Sequence, residues 1–385
     1  VRLSATDSEQ ALREEVRDFL ARNRPASGTE PDDFDARVAF LRGWQATLAG
    51  ARLVGLCWPS AYGGRGAPLT DQIVVGEELA RSGAPMIIGS VGLDVVGPSL
   101  IDHGTEEQKE RFLARILSAD DLWCQGFSEV GAGSDLAALR TRAVDRGDHF
   151  VLSGHKVWTS LAHHAQWCAV LARTDPDSSG HRGISYLLVA MDSPGIEVRP
   201  LVQVTGDPEF GEVHFEDVVV PRDGLLGELH GGWRIAMQTL AHERGGYGVG
   251  RHVILRVLLD RIIDHARTHL RDGRPAIEHP GIRAALARAH IALEVLRQQG
   301  YRSVAKMIAD GHPGFESSVD KLVLADAEQL VGAAGLDVLG ADAALRIGPF
   351  QHAYLYGRAA SVYGGSAQIQ RTIIAERILG LPRSH

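Results

Sequence analysis

The spacing of apolar residues changes twice along this 385-residue chain, and those two changes limit the folds open to it. In residues 8–23, Leu12, Val16, Phe19 and Leu20 fall on one helical face, with Ser8 in a cap position. Residues 35–50 and 71–82 repeat the amphipathic pattern, and the Pro/Gly-rich stretch from Trp58 to Gly66 between them reads as a loop. Thr105-Glu106-Glu107-Gln108 opens a further helix, with acidic residues in the first turn where the helix dipole favours them. From Asp121 the pattern shortens. Apolar or alternating stretches follow at 149–152, 167–172, 184–191, 196–200, 211–215 and 217–220, separated by turn signals such as Ser193-Pro194-Gly195. After Pro221-Arg222-Asp223-Gly224 the helical period returns over 232–270, 280–311 and 315–340, with shorter helices near 350–361 and 366–380. The expectation is an α+β multidomain chain: a helical domain over 1–120, a small β-domain over 121–222 and a four-helix-bundle domain over 223–385.

Composition narrows the function classes. Hydrophobic content of 44% with 23% charged residues is that of an ordinary globular protein, and a net charge of −8 argues against nucleic acid or an anionic membrane as the main partner. No run of 18 apolar residues predicts a membrane span. Cys57, Cys124 and Cys168 are odd in number and far apart, which suits a reducing cytoplasm better than a disulfide framework. His265 and His269 have helical i,i+4 spacing, but no third ligand lies near them in sequence and no metal site is expected. Only Lys109, Lys156, Lys306 and Lys321 are lysines among the 40 basic residues. That bias reads first as a property of the coding genome and second as phosphate recognition.

Two segments carry the chemistry. Cys124-Gln125-Gly126-Phe127-Ser128-Glu129-Val130-Gly131-Ala132-Gly133-Ser134-Asp135 combines hydroxyl donors with glycines that let backbone approach a ligand closely. Tyr363-Gly364-Gly365-Ser366-Ala367-Gln368-Ile369-Gln370-Arg371 is the second. No third glycine completes a dinucleotide fingerprint after Gly133, which disfavours a nicotinamide site. Together the segments resemble the acyl-CoA dehydrogenase family, whose order of helical, β and helical domains agrees with the periodicity. The resemblance runs the length of the chain, to Leu379-Gly380-Leu381-Pro382-Arg383.

The resemblance implies FAD. Phe127 and Ser128 would meet the flavin ring near N5, and Ser134 its pyrophosphate; in Lys156-Val157-Trp158-Thr159-Ser160, Trp158 would shield the isoalloxazine and Ser160 bond its edge. Gln329 and Gly332 would reach the adenosine end from a neighbouring subunit, and Ser366 and Gln368 would meet the cofactor after the loop. The chain departs from the family at Gln125, where an aromatic is usual, at Val130 for proline and at Ala333 for glycine. The arginine-plus-aromatic-glycine stretch is also altered, to Arg267-Thr268-His269-Leu270-Arg271-Asp272-Gly273-Arg274.

The family's reaction removes the α proton of an acyl thioester while hydride leaves the β carbon for flavin N5. Its commonest form has a glutamate where this chain has Gly364, which has no carboxylate but keeps a backbone N–H for the thioester oxygen. In other members the base precedes an arginine on another helix, and His242-Glu243-Arg244-Gly245-Gly246 stands at that place. The implied base is Glu243, with Arg244 orienting substrate or supporting the site. Implied partners are an acyl-CoA or carrier-bound acyl thioester, an electron-transferring flavoprotein, and a second copy of the chain in a homodimer or homotetramer. The alternatives are a non-catalytic partner subunit of a heteromer, a flavin oxidase or monooxygenase, and a dehydrogenase of carrier-protein thioesters.

Overall fold

A computed structural model describes residues 6–310, 314–345 and 348–382 of this chain; the side chains of 241–249 lie outside the described set. In chain order the elements are α1 (Asp7–Asn23), α2 (Phe34–Gly50), α3 (Leu69–Ser82), a π-helical turn (Val91–Val96) leading into α4 (Gly97–His103), and α5 (Glu106–Ser118). Then come β1 (Trp123–Gly126), β2 (Arg142–Asp145), β3 (His149–Ser160), β4 (Trp167–Arg173), β5 (Ile184–Ala190), β6 (Ile196–Leu201), β7 (Phe210–Pro221) and β8 (Leu225–Leu226). The chain closes with α6 (Gly232–Thr268), the short strands β9 (Leu270–Arg271) and β10 (Arg274–Pro275), α7 (Pro280–Asp310), α8 (Ser317–Leu339), α9 (Pro349–Gly357) and α10 (Ala367–Ile373).

The expected order of helices, strands and helices is observed, with three local corrections. The first helix is capped by Thr6, not Ser8: the Thr6 hydroxyl accepts from the Glu9 N–H at 3.1 Å and the Glu9 carboxylate accepts from the Thr6 N–H at 2.8 Å. The stretches at 211–215 and 217–220 are one strand, β7, because a bulge with Asp217 at φ 49° absorbs the break in alternation. The strands β1 and β2 had no counterpart in the periodicity; at four residues each they are too short to show one.

The chain divides into two compact units. One comprises residues 23–68 and 85–243, the other 1–22, 69–84 and 244–385, and the division falls inside α6 between Glu243 and Arg244. The first unit holds the sheet, ordered β6-β7-β3-β2-β4-β5-β8 with β1 parallel on β4. β4 and β5 are buried along almost their whole length, so they read as continuous apolar runs, whereas β3 and β7 alternate inward and outward. Phe150, Leu152, Val170, Leu187, Val213 and Phe215 form the centre of that core. Beside it α2 and α5 are joined by the buried Gln45, whose amide donates to Ile116 O at 3.0 Å and accepts from Gly89 N at 2.7 Å.

In the second unit α7 and α8 pack with the C-terminal part of α6 around Leu259, Ile262, Leu293, Leu296, Leu324 and Val331. There α1 meets α3 through Arg13, which bonds Glu77 at 2.6 Å and Glu78 at 2.7 Å, while the Tyr301 hydroxyl on α7 donates to Glu77 at 2.6 Å. Burial works against the charge on Glu77, and the hydrogen bonds from Tyr301 and Arg13 overcome it, holding its carboxyl below the usual range. Among the described residues no helix is long and apolar enough to cross a membrane.

Candidate functional site

In the sheet unit the 124–135 segment leaves β1 and turns back on itself. Glu129 and Ala132 exchange backbone hydrogen bonds at 3.1 and 3.0 Å, which puts Val130 and Gly131 at the tip of a tight turn. The turn is pinned from inside. The Lys156 ammonium, fully buried on β3, meets the Glu129 carboxylate at 2.8 Å and the Phe127 carbonyl at 3.0 Å. The same carboxylate accepts from the N–H groups of Arg140 at 2.7 Å and Thr141 at 2.9 Å. Burial opposes ionisation of Glu129, but the Lys156 ammonium and these backbone donors outweigh it and hold the carboxyl below its usual range. Ser128 adds a carbonyl that accepts from Val157 N at 3.0 Å, tying the segment to β3 again. Phe127 is buried edge-on against Tyr186.

Trp158 is the outward product of this clamp. Between Lys156 and Thr159, β3 carries one residue more than β7 opposite, and the extra residue bulges. Trp158 takes φ 59° there, a backbone conformation that costs a bulky residue about 1–2 kcal/mol. Its indole is 62% exposed, in edge contact with Phe210. Tryptophan in a β-domain is usually core; this one is pushed out, as a wall for a flat ligand requires. The hydroxyls of Ser128, Ser134 and Ser160 make no hydrogen bond among the described residues. At Gly131 and Gly133 a Cβ would meet nothing within 4 Å, so packing within the chain does not demand these glycines. Uncommitted donors, an exposed aromatic face and open backbone fit a flavin dinucleotide.

In the helical unit the second segment is a glycine loop held from three sides. Gly364 and Gly365 have φ 61° and 90°, and the buried Gln370 amide donates to their carbonyls at 3.1 and 3.3 Å. Ser366 caps α10 through Ile369 N at 3.3 Å, and Gln368 is exposed on that helix. Lys321, buried on α8, donates to Ala360 O and lies 4.3 Å from the Tyr363 ring centroid. The exposed Gly364 N–H donates to no described group. Gln329 and Gly332 lie on α8: the Gln329 amide reaches Ser361 Oγ at 3.4 Å, and a Cβ on Gly332 would come within 2.9 Å of Tyr354 Cα. That close approach of α9 accounts for Gly332 by itself.

Glu243 and Arg244 lie within helix α6, and their side chains are outside the described residues. The altered arginine stretch forms the β9–β10 hairpin. Arg267 pairs with Asp264 at 2.6 Å and Arg271 donates to Asp337 O at 2.6 Å, which leaves Arg274 exposed and without a partner among the described residues. Sequence reasoning missed that Lys156 and Lys321 each hold a motif from inside. Their rarity was the available signal, since lysine is used only four times.

Family models for acyl-CoA dehydrogenases match along the chain: the N-terminal domain at residues 6–120, the middle domain at 124–218 and the C-terminal domain at 230–379. The acyl-CoA dehydrogenase IpdE1 of Mycobacterium tuberculosis is 41% identical over 97% of this chain and 98% of its own length. The human mitochondrial short-chain specific acyl-CoA dehydrogenase is 31% identical over 88% of this chain and 82% of its own. Among solved structures, one described as the Tcur3481-Tcur3483 steroid ACAD superposes with a TM-score of 0.84 at 29% identity, and the ChsE4-ChsE5 complex from Mycobacterium tuberculosis with 0.83 at 30%, each covering both chains fully. The chain belongs to the acyl-CoA dehydrogenase family of FAD-dependent oxidoreductases.

Proposed function

We propose that this chain oxidises a ring-bearing acyl thioester to its 2-enoyl form, with Glu243 as the base. The observation that carries the reading is the loop at Gly364: it offers a free backbone N–H and no carboxylate, so the proton must go elsewhere. Glu243 is the acidic residue on α6 that precedes an arginine and two glycines. Substrate binding expels water around the carboxylate, raises its proton affinity and makes it a better base. The Gly364 N–H holds the thioester oxygen as charge gathers on it, a contact whose loss typically costs about 2.7–4 kcal/mol. Arg244 orients the thioester. Ser128, Ser134, Trp158 and Ser160 position FAD; Ser366 and Gln368, and Gln329 with Gly332 from a neighbouring subunit, are the further cofactor positions of this reading. When bound, FAD supplies the acceptor for the β-carbon hydride, and an electron-transferring flavoprotein is its natural outlet. The domain limits at 120 and 222, a cytoplasmic location and assembly as a homodimer or homotetramer belong to the same reading.

The ring-bearing substrate is supported by relatives' names: a cyclohexane-1-carbonyl-CoA dehydrogenase is 30% identical over 85% of this chain, and the Tcur3481-Tcur3483 structure is described as a steroid enzyme. Space at Gly250 on α6, where a Cβ would meet nothing within 4 Å, is consistent with a bulky acyl group. The test is an anaerobic titration of the flavin with straight, branched and ring-bearing acyl-CoAs, for the native chain and Glu243→Gln. Bleaching by one acyl class that disappears in the variant is the expected result. Bleaching at an unchanged rate in Glu243→Gln would remove the base assignment.

A second reading has specific support. The Tcur3481-Tcur3483 and ChsE4-ChsE5 structures are both named for two different chains. On that reading the chain is one subunit of a heteromer and holds part of the flavin site. A colourless product when expressed alone, turning yellow with FAD only beside a second chain of this family, would favour it.

A further inference from the structure

A half-buried face of β3 and β7 carries a cluster that the flavin reading does not use. His155 and His214 are directly opposite in the β3–β7 ladder, so they share one face of the sheet. Their rings stack with centroids 4.0 Å apart and planes 13° from parallel. Glu212 lies two residues before His214 on β7 and therefore on that same face. Its carboxylate oxygen is 3.6 Å from His155 Nε2 and 3.7 Å from His214 Nε2. Both nitrogens are buried, and neither makes a hydrogen bond. Each is thus aimed at a carboxylate that it fails to reach.

We propose that His155, His214 and Glu212 form a binding site for a divalent first-row metal ion of the zinc class. With metal–ligand bonds of about 2.0–2.2 Å at tetrahedral angles, ligand atoms sit about 3.3 Å apart. The three atoms here all lie within 4.8 Å of one another, and the two measured separations exceed the ideal by only a few tenths of an ångström. Two neutral imidazole nitrogens and one carboxylate suit zinc, nickel or cobalt better than magnesium or calcium, which prefer all-oxygen shells. The competing explanation is a pair of ordinary His–Glu ion pairs. It does not account for two buried ring nitrogens that stop short of hydrogen-bonding distance.

The surroundings leave the carboxylate available. Arg199, opposite Glu212 on β6, is engaged with Glu197 at 2.8 Å, and no described lysine or arginine pairs with Glu212. Because the ligands come from two hydrogen-bonded strands, the ladder fixes the spacing of their backbones before any ion arrives, and the stacked imidazoles turn about their side-chain bonds to bring both Nε2 lone pairs onto it. The cluster of Asp35, His163 and His164 lacks this advantage, since Asp35 is 80% exposed on the first turn of α2. An ion at the proposed site would cross-link β3 to β7 just ahead of the bulge that presents Trp158. Three protein ligands leave a position for water or an anionic group.

The experiment is equilibrium dialysis of the chelator-stripped full chain against Zn²⁺, with His155→Gln, His214→Gln and His163→Gln beside the native protein. The expected result is about one zinc per native chain, with affinity falling at least about tenfold in His155→Gln and His214→Gln and unchanged in His163→Gln. Thermal melting separates misfolding from lost binding. In EDTA all four proteins should melt together, and on adding zinc only the native chain and His163→Gln should rise. No zinc on the native chain, native affinity in both β3–β7 variants, or loss confined to His163→Gln would overturn the proposal.

Discussion

Lysine is scarce in this chain, and two of its four lysines are buried. A bias toward arginine can replace lysine wherever a side chain is solvated, but not where a compact ammonium must fit a closed pocket. Lys156 is such a place. In Glu129→Gln that ammonium loses its counter-charge while staying buried, and the expected destabilisation is about 3–5 kcal/mol, visible as a lower melting temperature. Adding Lys156→Met should recover part of the loss, because the uncompensated charge goes with it; a double variant no better than Glu129→Gln would contradict this. Trp158 gives the opposite prediction. A core tryptophan truncated to a small residue costs about 3–5 kcal/mol. Trp158→Gly instead removes an exposed ring and relieves a positive φ, so stability should hold or rise by up to about 1 kcal/mol, while FAD retention falls. The serines and glycines of this site were legible in the sequence because their residue types are unusual together. The clamp was not, because a lysine in a strand pattern reads as outward-facing until burial is known.

Among the elements, helices were the legible ones. Their length lets the 3.6-residue period repeat, and the helix start read at Thr105 is observed, closed by a capping box between Thr105 and Gln108. Strands fared worse where tertiary pairing overrides local pattern: β1 borrows its register from β4, and β7 hides its bulge inside what reads as two segments. Two glycines show how far packing decides what a helix tolerates. At Gly332 on α8 an added methyl meets α9 backbone, so Gly332→Ala should destabilise by about 1–3 kcal/mol despite its better helix propensity. At Gly250 on α6 the space is open, and Gly250→Ala should stabilise by about 0.4–1 kcal/mol. Equal shifts in melting temperature for the two variants would show that packing is not what separates them.

The whole molecule is legible from sequence in the order of its parts and not in how they are joined. The α1–α3–α7 charge cluster shows why, since its members are scattered through the chain. Glu77 and Glu78 both sit below the usual carboxylate range when folded, through hydrogen bonds from Tyr301, Arg13 and Arg17 that outweigh burial. The stability they contribute is complete above the ordinary carboxylate pKa and is lost as pH falls through their lowered values. The melting temperature should therefore drop as pH falls below about 5, and drop less steeply in Glu77→Gln; parallel profiles would exclude Glu77 as a contributor. The same cluster has a consequence for the order of events during synthesis. Tyr301 and Glu77 are 224 residues apart. At about 5–20 residues per second the ribosome takes roughly ten to forty-five seconds to deliver the second after the first. Throughout that interval α1 and α3 are on hand while the 244–385 segment that completes their unit is absent or only partly made. Helices α1 and α3 are thus made long before the segment that houses them, and a nascent-chain chaperone would find them waiting.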